Sequence, residues 1–138
     1  MNQRIAAIDF GLKRIGIALS DPRGKLASPF KTVDGGKKGA VHVVEALRPY
    51  QQEIKTILIG LPLLMNGKEG DMAILVRTFA QELENLIHIP ILLLDERLSS
   101  AQADRSLKEL SFNRKKRSTK IDMAAATLLL QQYLDGIH

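Results

Sequence analysis

Three acidic residues, far apart in the chain, stand at the boundaries of apolar segments. Asp9 closes the run Ile5-Ala6-Ala7-Ile8, Glu96 closes Ile91-Leu92-Leu93-Leu94 within Asp95-Glu96-Arg97, and Asp122 opens the apolar helical pattern Met123 to Leu134. A carboxylate beside a buried strand or helix costs stability unless it is paired, hydrogen-bonded or bound to a metal. Carboxylates converging from different elements are what a pair of divalent cations needs to orient a water and neutralise a phosphate's leaving oxygen. The three acids therefore form a candidate metal site for phosphate chemistry. Each also has a structural explanation: Asp9 can open a turn before Phe10-Gly11, Glu96 or Asp95 can pair with Arg97, and Asp122 matches a capping box with Thr119. Asp122 nevertheless shares a helical face with Ala125, Ala126, Leu129 and Tyr133, which turns it toward the apolar stripe. The choice between Asp95 and Glu96 stays open, because neighbours in a strand face opposite sides and a doubly covered strand gives no parity clue.

The absence of cysteine excludes disulfides, thiolate zinc sites and thiol nucleophiles, so a metal here is held by oxygen or imidazole ligands, as suits magnesium or manganese. His42 and His88 fall in expected helices and His138 is terminal. None lies at ligand spacing from a second metal-type residue, so all three read as structural or exposed. Ser28, Ser99 and Thr127 have no histidine partner that would mark a nucleophile. Twenty Lys and Arg against fifteen Asp and Glu give a net charge of +5, and the excess is clustered. Arg114, Lys115, Lys116, Arg117 and Lys120 immediately precede Asp122, while Lys13-Arg14 and Lys37-Lys38 form smaller groups. Lys and Arg beside a candidate metal carboxylate point to a polyanion whose phosphates they neutralise. No apolar run approaches the roughly 20 residues of a membrane span, and Met1-Asn2-Gln3-Arg4 leads straight into a strand rather than a signal peptide. A cytoplasmic protein with no membrane partner is expected.

Elements that would position these residues are legible in the pattern. Residues 4 to 10 read as a buried strand, 11 to 13 as a turn and 14 to 20 as a second strand. Asp21-Pro22-Arg23-Gly24 then turns the chain into a third strand near 25 to 33. Val41, Val44 and Leu47 mark one face of a helix that Pro49 ends. The wholly apolar run around Ile57-Leu58-Ile59 has the character of a strand covered on both faces. Met72, Leu75, Phe79, Leu83 and Leu86 repeat at helical spacing, and Pro90 opens a strand to 95. Ser99 with Gln102 caps a helix to about Leu110, and a last helix, about 120 to 135, is the most apolar. Meander followed by alternating helix and strand predicts a single α/β domain over 1–138, a mixed five-stranded sheet with helices on both faces. Strands 4 to 10, 55 to 60 and 90 to 95 are expected to be parallel neighbours at its centre, with Asp9 and Glu96 at the carboxyl edge where open α/β sheets place ligands.

The motifs Ile8-Asp9-Phe10-Gly11 with Arg14-Ile15-Gly16, Gly60-Leu61-Pro62-Leu63 with Asn66-Gly67, Asp95-Glu96-Arg97-Leu98-Ser99-Ser100-Ala101, and Ile121-Asp122 with Ala124-Ala125 resemble, in order and spacing, the YqgF/RuvX family. These are small bacterial nucleases with an RNase H-like fold, and the resemblance covers nearly the whole chain. Leu64 and Asn66 stand where the family more often has Asn and Asp. The resemblance implies that Asp9, Glu96 and Asp122 are catalytic acids binding Mg2+ or Mn2+, with two metals expected. It also implies a nuclease for the 5′ end of pre-16S rRNA, acting on structured RNA, or a Holliday-junction resolvase acting on branched DNA, as a monomer or homodimer. Lys13, Arg14, Arg97, Arg114, Lys115, Lys116, Arg117 and Lys120 are the expected nucleic-acid contacts. Two readings from other classes stand beside it. Asp9-x-Gly11 with Gly16 also looks like the phosphate turn of actin and sugar-kinase ATPases, which enclose ATP between two lobes. A non-catalytic RNA-binding module would keep the basic segment without needing Asp9.

Overall fold

The computed structural model describes residues 3–96 and 119–137, with side chains in the second stretch from Met123 onward. Five strands, β1 (Arg4–Asp9), β2 (Arg14–Ser20), β3 (Ala27–Asp34), β4 (Ile54–Leu61) and β5 (Ile91–Asp95), join in one sheet in the order β3-β2-β1-β4-β5. The β1–β2 and β2–β3 pairs are antiparallel, and β1–β4 and β4–β5 are parallel. The described α-helices are α1 (Gly39–Leu47), α2 (Asp71–Leu86) and α3 (Thr119–Ile137), with short 3-10 turns at Gly36–Lys38 and Arg48–Glu53. The mixed sheet expected from the sequence is the one observed.

Alternation along β1 builds two cores at once. Ala6 and Ile8 join Ile17, Ile57 and Ile59 beneath Val43 and Leu47 of α1 and Val76, Phe79 and Leu83 of α2. Ile5 and Ala7 point the other way, with Ala18 and Leu58, onto Ala126, Leu130 and Leu134 of α3. Successive strand side chains point to opposite faces, so a strand covered on both must be apolar throughout. That is why β1 and β4 read as continuous runs.

Three sequence expectations need correction. β5 lies at the outside of the strand order rather than at its centre. β1 already pairs with β2 on one side and β4 on the other, so the centre is taken, and the last strand adds in parallel to the free side of β4. The buried face of α1 is Ala40, Val43, Ala46 and Leu47, with Val41 exposed, and that of α2 is Ala73, Val76, Phe79, Ala80 and Leu83, with Leu75 and Leu86 exposed. Small alanines, which carry little hydrophobic weight in a periodicity reading, line these buried faces. His88 lies beyond the end of α2 at Leu86 rather than within a helix. His42 is in α1, where Nδ1 meets the Asp34 carbonyl oxygen at 2.7 Å and ties the helix to the end of β3. The expected helix from Ser99 to Leu110 lies outside the described residues.

Candidate active site at the carboxyl edge of the sheet

Among the described residues the buried polar or charged side chains are Asp9 (2% exposed), Ser20 (1%) and Glu96 (1%). Ser20 has an ordinary structural role at the amino edge of β1: its Oγ accepts the Ile5 amide at 2.8 Å and donates to the Asp21 carbonyl at 2.9 Å. The two carboxylates sit at the opposite edge.

Asp9 is the last residue of β1 and continues the face of Ile5 and Ala7, toward α3. The next residue, Phe10, drops into the other core against Phe79, with ring centroids 4.9 Å apart. A charged residue directly before a buried aromatic thus fixes the strand's exit. The last β1–β4 pair is Ile8↔Ile59, so one further step of the register sets Asp9 beside Gly60, about 5 Å away across neighbouring strands. Glu96 directly follows β5, in which Leu94 pairs with Gly60. Its side chain folds back over Gly60, so that a Cβ built there would lie 2.8 Å from Glu96 Cγ and Cδ. Gly60 shares the face of Leu58, which packs on α3, and the Glu96 carboxyl therefore lies on Asp9's side of the sheet. Leu93 packs on the α1–α2 core, and the alternation carries Asp95 to that opposite side. Parity that was absent from the sequence comes from the neighbouring strand.

Helix α3 is tied to the opposite edge of the sheet. Gln131 Oε1 accepts the Ala27 amide at 2.9 Å, while its Nε2 donates to the Lys25 carbonyl at 3.2 Å and to Asp135 Oδ1 at 2.9 Å. These contacts pin the carboxyl half of α3 to the start of β3, at the amino edge of β1. Asp122 lies nine residues earlier in the same helix, about 13 Å along its axis at 1.5 Å per residue. The first turn of α3 includes Asp122. The Asp122 side chain lies outside the described residues. Among those described, no three His, Asp or Glu side chains form a ready cation cage.

Lys13 is exposed in the turn that follows Asp9, and Arg14, half-buried, opens β2 on the same edge. That turn is tied to the next loop by the Gly35 amide on the Lys13 carbonyl at 2.8 Å and the Gly36 amide on the Leu12 carbonyl at 3.0 Å. Lys37 and Lys38, both exposed, follow directly. Arg97 and Arg114 to Arg117 lie outside the described residues, as does the side chain of Lys120. Beyond β4, Asn66 Oδ1 accepts the Lys68 amide at 2.9 Å and closes a turn whose Gly67 has φ +84°. Gly60 is the feature that sequence reasoning passed over. Its signal was present: a glycine ending a wholly apolar strand marks the close approach of another group.

Buried carboxyl oxygens gathered on one face at the end of parallel strands, with no thiol anywhere in the chain, are the donor set that hard divalent cations take. Sheet order, strand directions and helices on both faces define the RNase H-like fold. Solved structures share the architecture: the RuvC of T. thermophilus, in complex with a Holliday junction substrate, superposes with a TM-score of 0.56 at 12% identity over 98% of this chain and 96% of its own. The fowlpox virus Holliday junction resolvase gives 0.54 at 13% identity over 96% and 99%. The model of the family described as "RuvX: Holliday junction resolvase" matches residues 3–136. A protein of Protochlamydia amoebophila (strain UWE25) is 48% identical over 96% of this chain and 93% of its own length. One of Roseiflexus sp. (strain RS-1) is 41% identical over 96% and 94%. Both carry the name "Putative pre-16S rRNA nuclease". The chain belongs to the RuvX family of nucleases.

Proposed function

We propose that this chain, as a single domain over 1–138, is a divalent-metal-dependent phosphodiester hydrolase that processes the 5′ end of pre-16S rRNA in the cytoplasm. The observation that carries the reading is the convergence of Asp9 and Glu96, both buried, on one face of the sheet's carboxyl edge. The names of the relatives support the substrate. Asp9, Glu96 and Asp122 would hold Mg2+ or Mn2+, with two ions expected from the number of acids. When bound, such ions lower the pKa of a water and neutralise charge developing on the phosphate. The protein's own part is positional. Asp9 presents its carboxylate from a strand end locked by Phe10, and Glu96 presents its own across the bare backbone of Gly60. Lys13, Arg14, Arg97 and the segment Arg114, Lys115, Lys116, Arg117 and Lys120 hold the phosphate backbone near these acids, an interaction that weakens with salt.

Asp9→Asn is the direct test. It should abolish magnesium- or manganese-dependent cleavage of precursor rRNA while leaving the far-UV circular dichroism unchanged. Cleavage at the wild-type rate would remove the mechanism and leave an RNA-binding module. Cutting of branched DNA is the second reading, favoured by the description of the matching family. Resolution cuts two strands symmetrically and so calls for a two-fold dimer. Sedimentation of a strict monomer at working concentration would count against it.

A further inference from the structure

Glycine is an unfavourable choice inside a covered strand, where it offers no side chain to pack and loses the most conformational freedom on folding. Gly60 occupies such a position, flanked in β4 by the buried Ile59 and Leu61. Its backbone does not require glycine: the glycines with positive φ are Gly24, Gly36 and Gly67. What requires it is the neighbour. A methyl group at Gly60 would stand 2.8 Å from Cγ and Cδ of Glu96 and closer still to Oε1, and the three nearest atoms all belong to that one side chain. Other glycines are crowded differently. At Gly35 an added carbon would meet the Leu12 and Gly11 carbonyl oxygens at 2.6 and 2.8 Å, and at Gly11 it would meet the carbonyl of Arg14. Backbone does not yield cheaply, whereas the end of a glutamate does.

We infer that Gly60 is a positioning residue for Glu96: the bare strand at Gly60 is the seat that lets the carboxylate lie flat across β4 beside Asp9. The inference rests on the functional reading above and adds to it the element that sets the ligand's position. A methyl at Gly60 leaves the fold standing and drives the carboxylate off its seat by roughly 1 Å, a displacement that costs about a hundredfold where reacting groups are aligned. Metal ligation tolerates only about 0.2 Å.

The test compares Gly60→Ala with Glu96→Gln, Gly35→Ala, Glu96→Asp and the double variant Gly60→Ala/Glu96→Asp, by thermal melting, Mn2+ titration calorimetry and cleavage kinetics. Gly60→Ala should melt within a few degrees of wild type. It should bind Mn2+ at least about tenfold more weakly and lose about a hundredfold in kcat with KM unchanged. Gly35→Ala should instead lower the melting temperature. In the Glu96→Asp background the Gly60→Ala penalty should shrink at least about tenfold, because the shorter side chain clears the methyl and the two sites are coupled. Wild-type Mn2+ affinity and kcat in Gly60→Ala, with Glu96→Gln inactive, would overturn the inference while leaving the functional reading intact. A melting temperature that falls as far as in Gly35→Ala would overturn it too, since packing would then be the glycine's role. Unaltered Mn2+ binding and cleavage in Glu96→Gln would instead sink the reading on which it stands.

Discussion

At the scale of single residues, the sheet separates two adjacent acids into different environments. Glu96 lies on the face shared with Asp9 and Asp95 on the opposite one, so removing one charge at each position has unequal consequences. Glu96→Gln should lower kcat by roughly 10³-fold, the upper range for loss of one preorganised electrostatic group, whereas Asp95→Asn should stay within about tenfold of wild type. Steady-state kinetics of the two variants reads the difference, and equal losses would contradict the assignment of faces. Asp21 is an acid of another kind. Its Oδ1 accepts the Lys25 amide at 2.7 Å and the Leu26 amide at 3.0 Å, and these bonds, that of Leu26 foremost, hold its carboxyl below the ordinary value of 3.8. A depressed folded pKa contributes stability above the unfolded pKa and loses it as pH falls through the folded one. The melting temperature of Asp21→Asn should therefore lie below wild type at pH 6, and the gap should close as pH falls below about 4. A gap that stays constant to pH 2 would show that the carboxylate's charge does not matter to the turn.

Among the elements, α3 is the one whose placement reaches furthest. Its apolar stripe Ala126, Leu130 and Leu134 lies over the sheet, yet such a stripe can slide along its own axis. Gln131 prevents this through its bonds to Ala27 and Lys25 at the start of β3. Gln131→Leu would leave the Ala27 amide and Lys25 carbonyl to water and should cost about 2 kcal/mol, a fall in melting temperature of roughly 5–10 °C. Because the same helix carries Asp122 at its other end, Mn2+ affinity should fall as well. An unchanged melting temperature and metal affinity would mean that hydrophobic packing alone positions α3.

For the whole molecule, if Asp9 and Glu96, buried on one face, hold the proposed cation, its binding is coupled to folding. A ligand that binds only the folded state at a hundred times its Kd adds about 2.7 kcal/mol, so saturating Mn2+ should raise the melting temperature by several degrees and chelation should reverse the rise. Asp9→Asn should abolish that shift, and a shift of full size in the variant would place the ion elsewhere. The basic excess of the chain acts at the same scale. Alanine at Arg114, Lys115, Lys116 and Arg117 should weaken RNA binding and flatten its dependence on salt by about one unit of slope for each phosphate that is no longer neutralised. An unchanged slope in a filter-binding titration would exclude the segment from the interface.

How much was legible follows from how local each signal is. Strand and helix identities were readable because side-chain periodicity is a property of a few consecutive residues, and β2 was predicted with its observed bounds, Arg14–Ser20. The faces of α1 and α2 were misread where alanines, nearly silent in a hydrophobic pattern, make up much of the buried surface. By itself the sequence determined that three acids abut apolar segments and that no thiol competes for a metal. Only the tertiary structure decided that β5 takes the outside of the sheet, that Glu96 rather than Asp95 lies on Asp9's side, and that Gly60 makes room for it. The physical reason is that β5 is apolar at every position before Asp95, although Leu92 is exposed and its other residues half-buried, so it has no polar alternation to reveal its parity. Which side chain shares a face with which is then settled by pairing between strands distant in sequence.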